Sequence, residues 1–222
     1  MIKKNSVFEF SKYDYLIFDC DGVILDSNRF KIQAYSDALP DERPKHIEIF
    51  LRYHKQHGGV SRYEKFRYYY NEIRRTLSPE REINIAIDRF AAIVRKGMLE
   101  CDYVLGVLQF IKHAKTNSVP LFVVSGSDEN ELREVFSIRG IDYHFNHIYG
   151  SPANKVKNTG KVVKLMGEEK KGLFFGDSKT DFDAANKFGL DFVFISGFSE
   201  WDVGNNISTK TITNFLDLQN ND

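Results

Sequence analysis

Residues 15–22 read YLIFDCDG, a short apolar run that stops abruptly at Asp19 and Asp21. An uninterrupted apolar run of this length is typical of a strand that is buried on both faces of a parallel sheet. The two acidic residues and Gly22 mark the loop that follows the strand. Because ligands bind at the carboxyl ends of the strands in such sheets, we expect a functional site to begin at Asp19.

Residues 28–96, which follow this strand, have the apolar spacing of helices. Apolar side chains recur at intervals of three and four over residues 30–39, 47–57, 63–77 and 80–94. This spacing predicts four helices, separated by Pro40 with Pro44, by two glycines at 58–59, and by Pro79. We therefore predict an all-helical insertion at residues 28–96.

Strands and helices alternate again after Gly97. The pattern predicts apolar strands at residues 120–124, 147–149, 173–175 and 192–195, and helices at 104–115, 129–138, 160–166 and 181–188. Short apolar strands joined through amphipathic helices predict an α/β fold with a doubly wound parallel sheet, in other words a Rossmann-like core. Residues 1–27 and 97–222 would form this core, and the helical insertion would interrupt it.

The composition is that of an ordinary globular protein. The 222 residues include 31 basic and 31 acidic side chains, so there is no electrostatic basis for binding nucleic acid. No run approaches the roughly 18 apolar residues of a membrane span, and no apolar signal follows Lys3 and Lys4. Cys20 and Cys101 are far apart, which argues against a disulfide framework. We expect a cytoplasmic protein without a nucleic-acid or membrane partner, and the oligomeric state stays open.

Polar residues follow several of the predicted strands. Asp19 and Asp21 follow the first strand, Ser125 follows the second, Lys155 lies in a predicted loop, and Asp177 follows a later strand. A carboxylate at a strand end is, on its own, often a helix cap or a turn residue. The whole series, however, matches the needs of phosphoryl transfer: a nucleophile, a cation, donors for the phosphate oxygens and a proton for the leaving group.

Each acidic residue has a predicted role in that reaction. Asp19 would be the nucleophile, and Asp21 would donate a proton to the leaving group and later activate water. A Mg²⁺ ion would be held by Asp19, Asp177 and the main-chain carbonyl of Asp21. Asp181, at the start of a predicted helix, would orient this metal site through water or through Ser178.

The phosphoryl group itself would be bound by Ser125 through its hydroxyl and by Lys155 through its charge. Gly126, which has no side chain, would let main-chain amides approach the phosphate oxygens. Lys157 and Lys161 are alternatives to Lys155, which is preferred because of its distance along the chain from Asp177.

Four segments carry a resemblance to a known family. They are DCDGVILDS at 19–27, VVSG at 123–126, GSPANK at 150–155 and GDSKTDFDAA at 176–185. The first, second and fourth resemble motifs of the haloacid dehalogenase-like phosphatases, written DxDGxxxDS, an apolar strand ending in Thr or Ser, and GDSxxDxxAA. The third departs from the family pattern, which is often a Lys followed by Pro. The similarity covers nearly the whole chain.

The resemblance implies a Mg²⁺-dependent phosphatase that forms a phospho-aspartyl intermediate at Asp19. Asp21 favours the cleavage of C–O–P bonds, since the dehalogenases and phosphonate-cleaving members lack an Asp at this position. The helical insertion lies where the family places a cap domain that determines specificity. The expected substrate is a small phosphorylated metabolite, either a sugar phosphate or a phosphoglycolate-like acid.

The loop HGGVSR at 57–62 resembles the specificity loop of the helical caps and contains the GVSR string of β-phosphoglucomutases. We therefore expect His57, Gly59, Arg62 and Lys65 to contribute to specificity, with Arg62 and Lys65 binding a second anionic or hydroxylated part of the substrate. Two simpler interpretations stay open. Arg62 and Lys65 would then lie on a solvated helix face, and His57, like the other histidines, would be a capping or surface residue.

Three other functions remain as alternatives. A β-phosphoglucomutase-like phosphomutase would interconvert hexose 1-phosphate and 6-phosphate with little net release of phosphate. A receiver-like signalling module also forms a phospho-aspartate, but its acceptor follows a later strand and it has no four-helix insertion. A binding protein without catalytic activity would keep the fold and release no phosphate.

Overall fold

The computed structural model describes residues 8–202, 204 and 207–218, so Lys3 and Lys4 lie outside the described residues. Its strands are β1 (Tyr15–Phe18), β2 (Leu121–Asp128), β3 (His147–Ser151), β4 (Gly172–Gly176), β5 (Asp191–Ile195) and β6 (Lys210–Ile212). They form one sheet in the order β3-β2-β1-β4-β5-β6, and every neighbouring pair is parallel. The strand order reverses between β1 and β4, which is where ligands bind in doubly wound sheets.

Helices cover both faces of this sheet. They are α5 (Val107–Thr116), α6 (Glu129–Ile138), α7 (Lys155–Met166) and α8 (Lys179–Lys187). Because successive strand residues point to opposite faces, Leu16 and Phe18 pack in the apolar cluster that contains α5 and α6 side chains, whereas Tyr15 and Ile17 pack in the cluster that contains Val162 of α7. The prediction of a doubly wound parallel sheet is therefore confirmed.

The helical insertion between β1 and β2 contains α1 (Asn28–Asp37), α2 (Pro44–Gln56), α3 (Arg62–Tyr68) and α4 (Glu80–Glu100). A π-helical turn, Tyr69–Ile73, continues α3. Four buried aromatic rings on the four helices pack together, namely those of Tyr35, Phe50, Phe66 and Phe90. Helix α4 continues to Glu100, past residue 94, where the predicted helix ends, and past residue 96, where the predicted insertion ends. The division into core and cap domain stays a prediction.

Two elements of the core differ from the sequence predictions near the site. Strand β2 continues to Asp128, so Ser125 and Gly126 lie within the strand rather than after it, in a stretch where its register with β3 shifts. Helix α7 begins at Lys155 rather than at 160, because the side chain of Asn154 accepts a hydrogen bond from the main-chain N of Lys157 (2.9 Å) and caps the helix. Lys155 is therefore not a loop residue.

Strand β6, at the edge of the sheet, was not predicted from the sequence. It has only three residues, and two of them are exposed, so it lacks the apolar run that marks the inner strands. Among the described residues, no helix is both long enough and apolar enough to cross a membrane.

Candidate active site

Lys155 lies among buried carboxylates at the carboxyl ends of β1 and β4. Its Nζ donates hydrogen bonds to Asp19 Oδ2 (2.7 Å) and to Asp181 Oδ1 (2.6 Å). Each of the three residues is less than 5% exposed. The cap of α7 fixes the backbone of Lys155, and Asp19 is fixed by a hydrogen bond from its main-chain N to Phe175 O on β4 (2.9 Å). The fold thus brings together residues that are far apart in sequence.

Asp181 is held in place at the start of α8. Its Oδ2 accepts hydrogen bonds from Ser178 Oγ (2.5 Å) and from the main-chain N of Ser178 (3.1 Å). Both carboxylate oxygens of Asp181 therefore have partners, Ser178 on one side and Lys155 on the other. This arrangement links the two residues that the sequence suggested as supports of a metal site, and it makes Asp181 an anchor for Lys155.

Asp19, Asp177 and Asp181 form what we call the acidic cluster. Carboxylate oxygens from the three residues lie within 4.8 Å of one another. Burial, followed by repulsion from neighbouring carboxylates, raises the pKa of Asp19 to about 7 and the pKa of Asp177 well above its ordinary value, although Lys155 opposes both shifts. In the described part of the chain, Lys155 is the one cation within ion-pair distance of this cluster.

The acidic cluster suits a divalent metal ion. Three buried carboxylates face one ammonium, so two negative charges lack a counterion when all are ionised. Oxygen ligands of this kind are preferred by Mg²⁺. Gly22, at φ +72°, lies directly against Asp177, because a Cβ at this position would overlap Asp177 Oδ2. Asn28 Nδ2 donates to that same oxygen (2.7 Å) and orients the carboxylate.

Asp21 belongs to a separate network. Its Oδ1 accepts hydrogen bonds from Ser27 Oγ and Lys31 Nζ (2.5 Å), and its Oδ2 accepts one from Ser127 Oγ (2.9 Å). Burial alone would raise the pKa of Asp21, but the charge of Lys31 and these hydrogen bonds together lower it to about 2. Asp21 is therefore an ionised carboxylate in this arrangement.

Ser125 and Gly126 lie where β2 meets the helical insertion. Ser125 is fully buried, and its Oγ accepts a hydrogen bond from the main-chain N of Ser127 (3.2 Å). Gly126 packs against the loop before α3, because a Cβ here would overlap the carbonyl oxygen of Gly59. Gly126 thus permits close contact between the core and the insertion, and the prediction that it admits main-chain amides to a phosphate stays untested.

Arg62 and Lys65 of the helical insertion are buried, at 3% and 2% exposed, so they do not lie on a solvated helix face. Arg62 donates two hydrogen bonds to Glu131 of α6, from Nη1 to Oε1 (2.9 Å) and from Nη2 to Oε2 (2.6 Å). Lys65 Nζ lies 2.7 Å from Nδ1 of His54. Of these two buried residues, Arg62 is therefore paired with the core, whereas Lys65 contacts a histidine.

His57 and Gly59 have local roles in the structure. His57 Nδ1 lies 2.8 Å from the carbonyl oxygen of Tyr53, and the two rings stack at 4.0 Å. His57 thus caps the end of α2, as in the simpler interpretation of this residue. Gly59 has φ +76°, and a Cβ there would lie 2.8 Å from Lys155 Nζ, so the insertion approaches the acidic cluster at this point.

A cavity of about 80 Å³ lies between the core and the helical insertion. It is lined by Asp19, Asp21 and Asp177 from the core and by Lys31, His54 and Lys65 from the insertion, among others. The cavity is therefore lined by both residues predicted for catalysis and by three of the four predicted for specificity, namely Gly59, Arg62 and Lys65. A substrate bound here would contact both parts of the chain.

Several residues of the site were missed from the sequence. Lys31 follows Ser27 by one helical turn, and this spacing was a usable signal that both reach Asp21. Ser127, Glu131 and Glu200 pair with residues 65 or more positions away, and no local pattern marks such pairs. His54, interpreted as a surface or capping histidine, instead lies 3.4 Å from Glu200, measured between His54 Nε2 and Glu200 Oε2.

A family model described as haloacid dehalogenase-like hydrolase matches residues 16–195. No functionally curated protein sequence matches the chain. Among solved structures, the chain is similar to β-phosphoglucomutase from Clostridium difficile, with a TM-score of 0.73, 18% identity and 93% of each chain covered. A predicted phosphoglycolate phosphatase from Haemophilus somnus gives a TM-score of 0.72 at 17% identity, with 93% of this chain and 96% of that chain covered.

A haloacid dehalogenase-like hydrolase from Streptococcus pneumoniae is 21% identical, with a TM-score of 0.67 and coverage of 91% of this chain and 94% of that chain. At these identities the structural similarities establish a common fold. The matched structures carry different activities in their names, a mutase and a predicted phosphatase, so the common fold does not identify a reaction.

Proposed function

The chain belongs to the haloacid dehalogenase-like hydrolase family, and from this premise we propose that it is a Mg²⁺-dependent phosphatase of a small phosphorylated metabolite. The proposal is carried by the convergence of Asp19, Asp177 and Asp181 at the point where the strand order reverses, with Lys155 bonded to Asp19 and Asp181. A nucleophile, a site for a cation and a donor for phosphate oxygens lie together there. The substrate is a sugar phosphate or a phosphoglycolate-like acid.

Asp19 is the nucleophile in this proposal. Its Oδ1 accepts a hydrogen bond from the main-chain N of Cys20 (2.7 Å) and its Oδ2 accepts one from Lys155, so the carboxylate is oriented before substrate arrives. A carboxylate oxygen of Asp19 attacks phosphorus, the bond to the leaving oxygen breaks, and a phospho-aspartyl intermediate, which is an acyl phosphate, forms. Mg²⁺, held by Asp19, Asp177 and the main-chain carbonyl of Asp21, would offset the negative charges of nucleophile and phosphate.

Asp21 carries the proton in both steps. In the first step it donates a proton to the leaving oxygen. Lys31 favours the ionised form of Asp21, but the negative charge of a bound phosphate favours the protonated form that this step needs. In the second step Asp21 takes a proton from the water that hydrolyses the acyl phosphate and releases the Asp19 carboxylate. Ser125 and Lys155 bind the oxygens of the transferring group, and the helical insertion excludes bulk water as a cap.

A phosphomutase is the second candidate. The GVSR string at 59–62 and the similarity to the β-phosphoglucomutase structure favour it. In a mutase the phosphoryl group returns to a second hydroxyl of the sugar instead of passing to water. Product analysis distinguishes the two: a phosphatase releases inorganic phosphate continuously, whereas a mutase interconverts hexose 1-phosphate and 6-phosphate with little release.

The proposed function is tested by assaying a panel of phosphorylated metabolites and p-nitrophenyl phosphate with Mg²⁺ and with EDTA. We expect phosphate release that requires the metal and falls at least about 10³-fold in Asp19→Asn. Asp183→Asn is the matched control, because Asp183 is exposed and paired with Lys179, and it should keep the activity. If Asp19→Asn kept an activity near that of the control, Asp19 would not be the nucleophile. If none of the compounds gave continuous release of phosphate, the protein would not be a phosphatase.

A further inference from the structure

Five cationic side chains of the described residues line the cavity: Lys31, Lys55, Arg62, Lys65 and Lys179. Four of them have a carboxylate partner, at 2.5 Å for Lys31, 3.3 Å for Lys55 and 2.6 Å for both Arg62 and Lys179. In the described part of the chain, Lys65 has no carboxylate within ion-pair distance. One cation of the cavity therefore lacks a counterion.

Burial makes this missing counterion costly. Lys65 is 2% exposed, so its ammonium has lost nearly all contact with water. Burial is also the main cause that lowers the pKa of Lys65 to about 7, with Lys155 and Lys31 acting in the same direction and Glu200 and Asp21 opposing them. A negative charge brought next to the ammonium would remove this penalty, which is the physical reason to expect an anionic ligand.

His54 orients Lys65 without supplying that charge. Burial and the charge of Lys65 lower the pKa of His54 to about 4, so its ring is neutral at physiological pH. The neutral ring accepts a hydrogen bond from Lys65 at Nδ1 (2.7 Å), and its Nε2 lies 3.4 Å from Glu200 Oε2. Glu200 belongs to the core, so the chain from Glu200 through His54 to Lys65 connects the core to the insertion.

We propose that Lys65 binds a carboxylate on the leaving group of the substrate, which makes the substrate a phosphorylated carboxylic acid rather than the phosphate ester of an uncharged sugar. The proposal rests on the proposed function, because it places the phosphoryl group at Asp19. Asp19 and Lys65 line the same cavity from the core and from the insertion, so a substrate held at Asp19 presents its other end to the insertion. His54 is a positioning residue for Lys65.

A second phosphoryl group fits this end of the cavity less well than a carboxylate. A phosphate monoester carries up to two negative charges, whereas Lys65 supplies one positive charge. The insertion has two other buried cations in this cavity: Arg62 already binds both carboxylate oxygens of Glu131, and Lys31 is paired with Asp21. The one unpaired cation matches a single carboxylate.

The test compares pairs of substrates that differ only by a carboxylate in place of a hydroxymethyl group. Suitable pairs are phosphoglycolate with 2-hydroxyethyl phosphate, and 2-phosphoglycerate with glycerol 2-phosphate. In the wild-type protein we expect kcat/KM to favour the acid by about tenfold or more, the value of one charge-assisted hydrogen bond. This comparison needs no variant and does not depend on how a variant folds.

Substitutions then assign the preference to a side chain. Lys65→Met should reduce the ratio within each pair to near one, whereas Lys55→Met should keep it, because Lys55 is half exposed and paired with Asp202. His54→Leu should raise KM for the acids while leaving KM for the alcohols unchanged, which a general loss of folding would not do.

The outcomes separate the two proposals. Hydrolysis of both members of each pair at equal kcat/KM by the wild-type protein would overturn the role of Lys65 and leave the phosphatase intact. A preference that survives Lys65→Met, or a preference for a sugar bisphosphate over both acids, would also overturn it. Failure to hydrolyse any of these esters, including p-nitrophenyl phosphate, would instead overturn the proposed function.

Discussion

The core side and the insertion side of the cavity carry opposite charge. On the core side, the acidic cluster of Asp19, Asp177 and Asp181 exceeds the charge of Lys155. On the insertion side, Lys31, Arg62 and Lys65 contribute cations, which form the basic cluster. This contrast supports the proposals that the metal and the chemistry belong to the core side and that an anionic substrate is recognised on the insertion side.

The two clusters also differ in where their partners come from. Lys155 and its partners Asp19 and Asp181 all belong to the core. Lys31 and Arg62, by contrast, find their carboxylates across the interface, at Asp21 and Glu131. The ion pairs of the acidic cluster thus form within the core, and the insertion adds the hydrogen bond from Asn28 to Asp177. The ion pairs of the basic cluster, by contrast, require the insertion to be closed onto the core.

The largest effect is expected for Lys155→Met, which removes the one cation of the acidic cluster. Three buried carboxylates would then face one another without a counterion, and we expect the free energy of unfolding without metal to fall by about 3–5 kcal/mol. Phosphate release should be lost as well, because Asp19 loses its orienting hydrogen bond. Urea unfolding in EDTA and the phosphatase assay measure the two effects.

Lys157→Met is the control for this prediction, because Lys157 is exposed and close in sequence. A surface change of this kind typically alters stability by no more than about 0.5 kcal/mol. A larger loss of activity in Lys157→Met or Lys161→Met than in Lys155→Met would show that the phosphate-binding lysine had been assigned wrongly.

The second prediction concerns Glu131→Gln, which distinguishes a structural from a substrate-binding role of Arg62. If the pair with Glu131 holds the insertion closed, the change weakens closure, raises KM for every phosphate ester and costs on the order of 2 kcal/mol of stability. If Arg62 instead binds substrate, freeing it from Glu131 lowers KM for acidic substrates. We expect the first result.

Glu134→Gln is a matched control for Glu131→Gln on the same helix. Glu134 pairs with Arg95 of α4, and both side chains are about half exposed, so its loss should leave KM unchanged. The double variant Arg62→Met/Glu131→Gln should lose less than the sum of the two single changes, because both remove the same interaction. Additive losses would show that the two residues act separately.

The sequence predicted the acidic cluster more completely than the basic one for a physical reason. Asp19 and Asp177 follow apolar strands, and the carboxyl ends of neighbouring parallel strands necessarily meet at one edge of the sheet. Strand pattern alone was therefore enough to bring them together. The start of α7 was missed because Asn154 caps it within a polar stretch, and so Lys155 was identified correctly as a neighbour but in the wrong kind of element.

Apart from the pair of Lys31 with Asp21, the basic cluster depends on contacts that no local pattern reveals. Arg62 and Glu131 are 69 residues apart, and their contact depends on how the insertion packs against α6. The same holds for His54 and Glu200, which are also far apart in sequence. Because Glu200 lies at Nε2 of His54, Nδ1 is left to accept from Lys65 Nζ, and Lys65 contacts a ring instead of a carboxylate. Family resemblance located the loop at 57–62, but it did not distinguish the paired Arg62 from the unpaired Lys65.

The smallest effect expected is a change with pH in how strongly Mg²⁺ stabilises the protein. The pKa of Asp19 is raised to about 7 in the metal-free fold, against roughly 3.9 for an unfolded chain. Between these values the folded state keeps a proton that the unfolded state has lost, so this carboxyl costs the metal-free protein stability as pH rises from about 4 to 7. A cation at the acidic cluster offsets that loss, since it replaces the proton.

The difference in Tm between Mg²⁺ and EDTA should therefore grow as pH rises from 5 to 8. The limit for one proton is about 1.4 kcal/mol per pH unit, which corresponds to roughly 3–6 °C per pH unit in a chain of this size. The lowered pKa values of His54 and Lys65 make stability rise with pH, which is the opposite direction. Because these two residues do not contact the cluster, their effect cancels when the Tm in EDTA is subtracted from the Tm in Mg²⁺.

Asp177→Asn should abolish the difference at every pH, because it removes a carboxylate that the metal needs. A Mg²⁺ effect that is independent of pH, or that persists in Asp177→Asn, would mean that the cation binds elsewhere, and the electrostatic contrast between the two sides of the cavity would then have no role in metal binding.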